Sequence, residues 1–181
     1  MSSTAEDDGR PTAPAVPNDV PTTPFAPPDS PGHWVMAAVG ALNRRDLRFA
    51  VTAAQRVLRD QDSTMAAIEL LSGILLTGIP QGSLRRGARI TLDVTTPPGD
   101  TQGLRAVQCA ADLVTAIASG DDGLAIPVLH ALRGPHGLDI LIVLIRAVAA
   151  RVEGFVGVDG DTVDAYYAVA RDHVHQDQRG W

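Results

Sequence analysis

The chain contains no lysine: all 15 of its basic residues are arginine. A phosphate-cradling Walker loop needs lysine, so that chemistry is excluded. The simplest cause is a very GC-rich genome, whose codons favour arginine, alanine, glycine and proline. Cysteine is nearly absent too. With Cys109 alone, no internal disulfide can form and no zinc site can be built on several thiolates. Aromatic residues make up only 4% of the 181 residues. Long apolar runs are also missing. The longest, Ile140 to Ile145, has six residues, against about 20 for a membrane-spanning helix. Neither a signal peptide nor membrane insertion is expected, and a cytoplasmic location fits.

Positive charge is in short supply as well. The formal net charge is -6. Nucleic-acid binding relies on clustered cationic side chains, so nucleic acid is not an expected partner. Residues 1–31 account for -4 of the total, which leaves the body close to neutral.

What is present divides into four stretches. Residues 1–31 are acidic and carry prolines at 11, 14, 17, 21, 24, 27, 28 and 31. The recurrent spacing of three matches the polyproline II turn. Proline removes a backbone donor and restricts its predecessor, so a disordered tail is expected, with Phe25 as its one apolar anchor for docking. Residues 32–78 read as a first helical unit. Trp34, Val35, Ala38, Val39 and Leu42 share one helical face. Leu47, Ala50, Val51, Ala54, Val57 and Leu58 repeat it behind a plausible N-cap, Asp46, with Arg48, Gln55, Arg56 and Arg59 mostly on the other side. A third helix is expected over 63–77, capped by Ser63 or Asp62.

Residues 79–103 are punctuated by glycine and proline and read as an irregular arm or linker. Only 88–94 alternates apolar and polar residues, so a short strand or extended arm is expected there. Residues 104–181 return to helical periodicity. Pro127 should make its helix start late or kink. The nearly all-apolar stretch at 138–145 fits either a buried helix or a strand, and length favours the helix. Asp161 is the expected cap of a last helix.

The two halves resemble each other at an offset of 75. Val39, Ala41, Asp46 and Ala50 recur as Val114, Ala116, Asp121 and Ala125. The expected fold is therefore all-α: a helical bundle of two related three-helix units plus a C-terminal helix, behind a disordered proline-rich tail. Units of this size bury little alone, so one of the apolar faces at 65–75 and 138–145, or the 78–103 arm, is expected to pack against another chain in a homo-oligomer, most simply a two-fold homodimer.

Catalytic signatures are weak. Asp159 to Asp164 begins like a calcium loop, but Val163, Asp164 and Ala170 stand at positions that need a ligand, a glycine and a glutamate. His173 and Asp177 share a helical face, with His175 about 200° away, which makes a poor metal site. Cys109 reads as a structural thiol. GxSxG, HExxH and dinucleotide fingerprints are absent. The reading leans against an enzyme and expects neither cofactor nor metal. It favours a non-enzymatic interaction module with a protein partner. The candidate contact residues are Phe25, Trp34, Arg85, Arg86 and Arg89. The alternatives are a regulatory domain with a ligand pocket between helices and an enzyme without a recognisable motif.

Overall fold

The computed structural model describes residues 27, 29–79, 88–152 and 160–179. Among them are seven helices: α1 Pro31–Asn43, α2 Leu47–Val57, α3 Gln61–Leu76, α4 Thr101–Ser119, α5 Asp122–Leu132, α6 Gly137–Val152 and α7 Gly160–Arg179. The fold class is all-α, as the periodicity predicts. The calls on residues 1–26, which include Phe25, and on Arg85 and Arg86 fall outside the described residues.

Short polar side chains set the helix starts by accepting otherwise orphaned N–H groups. Ser30 accepts from the His33 N–H at 3.2 Å, and Pro31 supplies a first helical residue that has no N–H to lose. Asp46 accepts from Phe49 at 3.0 Å, Asp100 from Gly103 at 2.8 Å and Asp121 from Gly123 at 2.9 Å. The cap of α3 differs from expectation. Asp60 takes the Ser63 N–H at 2.8 Å, so Ser63 and Asp62 lie inside the helix. Asp161 likewise sits in the first turn of α7. α4 ends at Gly120, whose φ of 67° is the left-handed conformation that glycine adopts without strain.

α1 is the hub. It packs against α2, α3, α6 and α7, and every residue from His33 to Ala41 is buried. α4 packs on α5, α6 and α3. The largest fully buried side chains include Ile68 and Leu71 of α3, Leu113 of α4, and Ile140, Leu141 and Leu144 of α6. Much of the apolar faces of α3 and α6 is thus covered within one chain. Met65, Leu70 and Ile74 of α3 and Leu138 and Ile142 of α6 stay half-buried. α6 is helical throughout, so 138–145 is no strand.

The offset of 75 reappears in the helix bounds. Moved by 75 residues, α2 coincides with α5, α3 falls one residue short of α6, and α1 falls inside α4. Asp46 and Asp121 cap corresponding helices. The first helix of each set has a different cover. α7 lies on α1 so closely that a Cβ on Gly40 would collide with the Val163 carbonyl and the Tyr167 Cβ. Thr115 is the residue 75 positions after Gly40, and there the cover is an extended arm. Thr115 Oγ1 accepts the Ile90 N–H at 2.9 Å. Arg89 pairs with Asp112 at 3.5 Å, and Arg146 donates to the Thr95 carbonyl at 3.1 Å.

Along this arm Ile90, Leu92 and Val94 are half-buried against the core, while Thr91, Asp93 and Thr95 face out. The expected alternation is present. The strand is not, because the arm finds a hydroxyl rather than a neighbouring strand, and no strand occurs among the described residues. Pro127 does not delay α5, which begins at Asp122 and carries the proline inside. Pro127 simply cannot donate to the Gly123 carbonyl one turn earlier. Among the described residues no single helix is long and apolar enough to cross a membrane; α5 and α6 reach that only as a pair bent by 112°.

Candidate functional site

α5 is apolar in sequence yet poorly covered. Val128 and Leu132 are its two buried hydrophobic residues; Leu124, Ala125 and Leu129 are half-buried, and Ile126 is 55% exposed. The corresponding residues of α2 behave differently. Phe49, Ala50 and Ala54, 75 positions before Leu124, Ala125 and Leu129, are all buried. Part of the difference comes from α7. Its Tyr167 ring meets Phe49 edge-on at 5.2 Å, and among the described residues no helix lies across α5 in the same way.

Two clefts flank α5. The first, of about 390 Å³, lies between the α2–α3 corner and the end of α5. Leu58, Met65, Leu129 and Leu132 form its apolar part, and Arg59, Arg133, Asp60 and Gln61 stand around it. Both arginines are exposed, and neither has an ion-pair partner among the described residues. The Asp60 carboxylate is engaged at the start of α3. Hydrogen bonds from the side chain and the N–H of Ser63 hold it below the usual carboxylate range. The Thr64 hydroxyl is satisfied by the carbonyls of Asp60 at 2.8 Å and Val57 at 3.2 Å.

The second cleft, about 370 Å³, lies among α4, α5 and α6. Cys109, half-buried, lines it with Arg105, Pro127 and His136. His136 Nδ1 is 3.8 Å from Asp139, whose carboxylate also accepts from Gln102 at 2.7 Å. The cysteine and a histidine–carboxylate pair therefore border one space, although no group that could hold a metal ion occurs among the described residues.

A third, charged cleft of about 400 Å³ sits beside α1, lined by Trp34, Arg56, Arg59, Asp29, Asp60 and His173 among others. It matches the second in position. Moved by 75 residues, Pro31, Trp34 and Arg56 become Ala106, Cys109 and Ala131, which line the second cleft.

The expected contact residues scatter. Trp34 is 5% exposed and belongs to the core, with the Arg56 guanidinium 4.3 Å above its ring. Arg89 is exposed on the arm and paired with Asp112. Neither borders the α5 clefts. His173 Nε2 lies 3.7 Å from the Asp29 carboxylate. The residues that do gather, Arg59, Leu129 and Arg133, come from segments some 70 positions apart. Only the apolar excess of α5 around a proline signalled them in sequence.

No protein-family model matches the chain, and no curated protein or solved structure does either. The functional reading rests on these side chains alone.

Proposed function

We propose that the protein is a non-enzymatic helical interaction module that docks another protein on the flank of α5. The observation that carries this reading is Ile126, 55% exposed and one turn from half-buried Leu129, on a helix whose Leu124, Ala125 and Leu129 are half-buried where their counterparts Phe49, Ala50 and Ala54 in α2 are buried. Contiguous apolar surface of this kind lowers its free energy by finding a partner. A different protein fits better than a second copy, because a two-fold contact here would set the exposed Arg59 and Arg133 against their own equivalents.

The test is affinity capture from the native cell with the wild type and with Ile126→Asp, read by mass spectrometry. Ile126 is more than half exposed, so the variant should melt within a few degrees of the wild type. A partner held by the wild type and lost by the variant supports the reading. Identical captured sets remove it. Sedimentation equilibrium should show a 19.0 kDa monomer; a dimer dissociated by Ile126→Asp would make the partner a second copy.

The cleft shared by Cys109 and His136 favours a second reading, a small-ligand pocket between helices. Its test is thiol labelling of Cys109 in the presence of candidate metabolites, where protection is the expected sign.

A further inference from the structure

We propose that the cleft between the α2–α3 corner and the end of α5 takes an acidic peptide segment carrying an apolar anchor residue. The proposal rests on the docking reading of α5 and names the chemistry of the partner.

The floor accepts an apolar side chain. Leu58, Met65 and Leu129 are each half-buried, around a buried Leu132. The rim selects for negative charge. Arg59 follows the C-cap of α2, Arg133 caps the end of α5, and the two face the same space without carboxylate partners among the described residues. Asp60 is the one acid on the rim, and α3 has already engaged it as its N-cap. The balance left for a ligand is one net positive charge, delivered as two guanidinium forks suited to carboxylates. Gln61, exposed at the same rim, adds an amide.

The occupant is a chain segment rather than a compact small molecule. Ile126, Leu129 and Arg133 stand at spacings of three and four, so they line one face of α5. The apolar surface therefore runs beyond the cleft by a full turn to Ile126. A second copy is disfavoured by charge. In a two-fold contact the same patch meets itself, which would set Arg59 and Arg133 against their own equivalents. Two arginines on an acidic chain are also too few for a nucleic-acid track.

The experiment is selection of random twelve-residue peptides displayed on phage against the full chain. Selected sequences are then synthesised and titrated against wild type, Arg59→Gln/Arg133→Gln and Leu129→Asp. The expected result is enrichment of Asp or Glu next to Leu, Phe or Met. Affinity should drop about tenfold or more in the double glutamine variant and fall as salt rises. Both arginines are exposed, so that variant should melt as the wild type does. Peptides without acidic enrichment that lose binding only to Leu129→Asp would overturn the acidic partner and leave the docking reading standing. Failure to select any peptide, or binding indifferent to both variants, would overturn both.

Discussion

The Tyr167 hydroxyl donates to Asp46 Oδ2 at 2.7 Å, while Asp46 Oδ1 accepts the Phe49 N–H at 3.0 Å. One carboxylate thus begins α2 and holds α7. The two bonds, first the backbone one and then that of Tyr167, keep Asp46 below the usual carboxylate range. Burial, helped by Asp46, pushes the Tyr167 hydroxyl up. Tyr167→Phe should cost about 1.5–3 kcal/mol, as expected for a hydrogen bond to a charged group. Asp46→Ala should cost more, because the cap goes as well. Urea denaturation of both singles and the double closes the cycle. An undiminished Tyr167→Phe effect in the Asp46→Ala background would show that the bond contributes nothing.

Gly40 provides a steric test with an internal control. A methyl group there must displace the Val163 carbonyl, whereas one on Gly73 meets nothing within 4 Å. Gly73→Ala should stabilise by about 0.5–1 kcal/mol through helix propensity. Gly40→Ala should destabilise by about 1–3 kcal/mol, because the strain of overpacking exceeds that gain. Hydrogen exchange should quicken in α7 for Gly40→Ala only. Equal behaviour of the two variants would mean that α7 is not seated on Gly40.

Acid should weaken the fold through His33. The ring is 3% exposed, its Nε2 has no hydrogen-bond partner among the described residues, and it meets the Tyr166 ring at 5.3 Å. Burial pushes its protonation below the ordinary range, with Asp29 opposing and His173 assisting. The unfolded chain then binds a proton near pH 6.5 that the folded chain still refuses. Stability is therefore full above about pH 6.5 and falls as pH drops below it. The depressed carboxylate of Asp46 acts in a separate, lower window, where its contribution is lost as pH falls through its folded value. The melting temperature should decline between pH 7.5 and 5, and His33→Phe should flatten that decline. An unchanged slope would assign the loss to other groups.

Thr115 is the buried polar point that holds the arm. Thr115 Oγ1 accepts the Ile90 N–H and donates to the Ala111 carbonyl at 2.7 Å. Thr115→Val keeps the shape and removes both bonds, leaving the Ile90 amide without its acceptor. A loss of about 1–2 kcal/mol is expected, with faster exchange at the Ile90 amide. Unaltered exchange there would mean that the packing of Ile90, Leu92 and Val94, with the Arg89 and Arg146 contacts, holds the arm without Thr115.

Local signals in the sequence carried far. Asp46 could be read as a cap because it directly precedes an apolar period of 3.6, and the alternation over 88–94 states which side chains of the arm face inward. Competing local signals were harder to separate. Asp60, Asp62 and Ser63 are all good caps, and only the chain path out of α2 selects Asp60. Exposure was the least legible property. Trp34 looks like a contact residue until the fold buries it beneath Arg56, and Ile126 stays exposed because no helix among the described residues covers it. Both depend on which elements meet in three dimensions. The same holds for Arg59 and Arg133, each an ordinary arginine at a helix end until the fold brings the two ends together.

The seating of α7 on α1 bears on how the chain is made. Asp46 and Tyr167 are 121 residues apart. At synthesis rates of about 5–20 residues per second, roughly 6–24 s separate their emergence. Through that interval His33, Gly40 and Phe49 wait on the ribosome without their final cover, while α4, α5 and α6 are still being added. The first three helices can form early, but they cannot close early. The nascent chain carries an open apolar seam until its last helix arrives, and that seam is where a chaperone would find it.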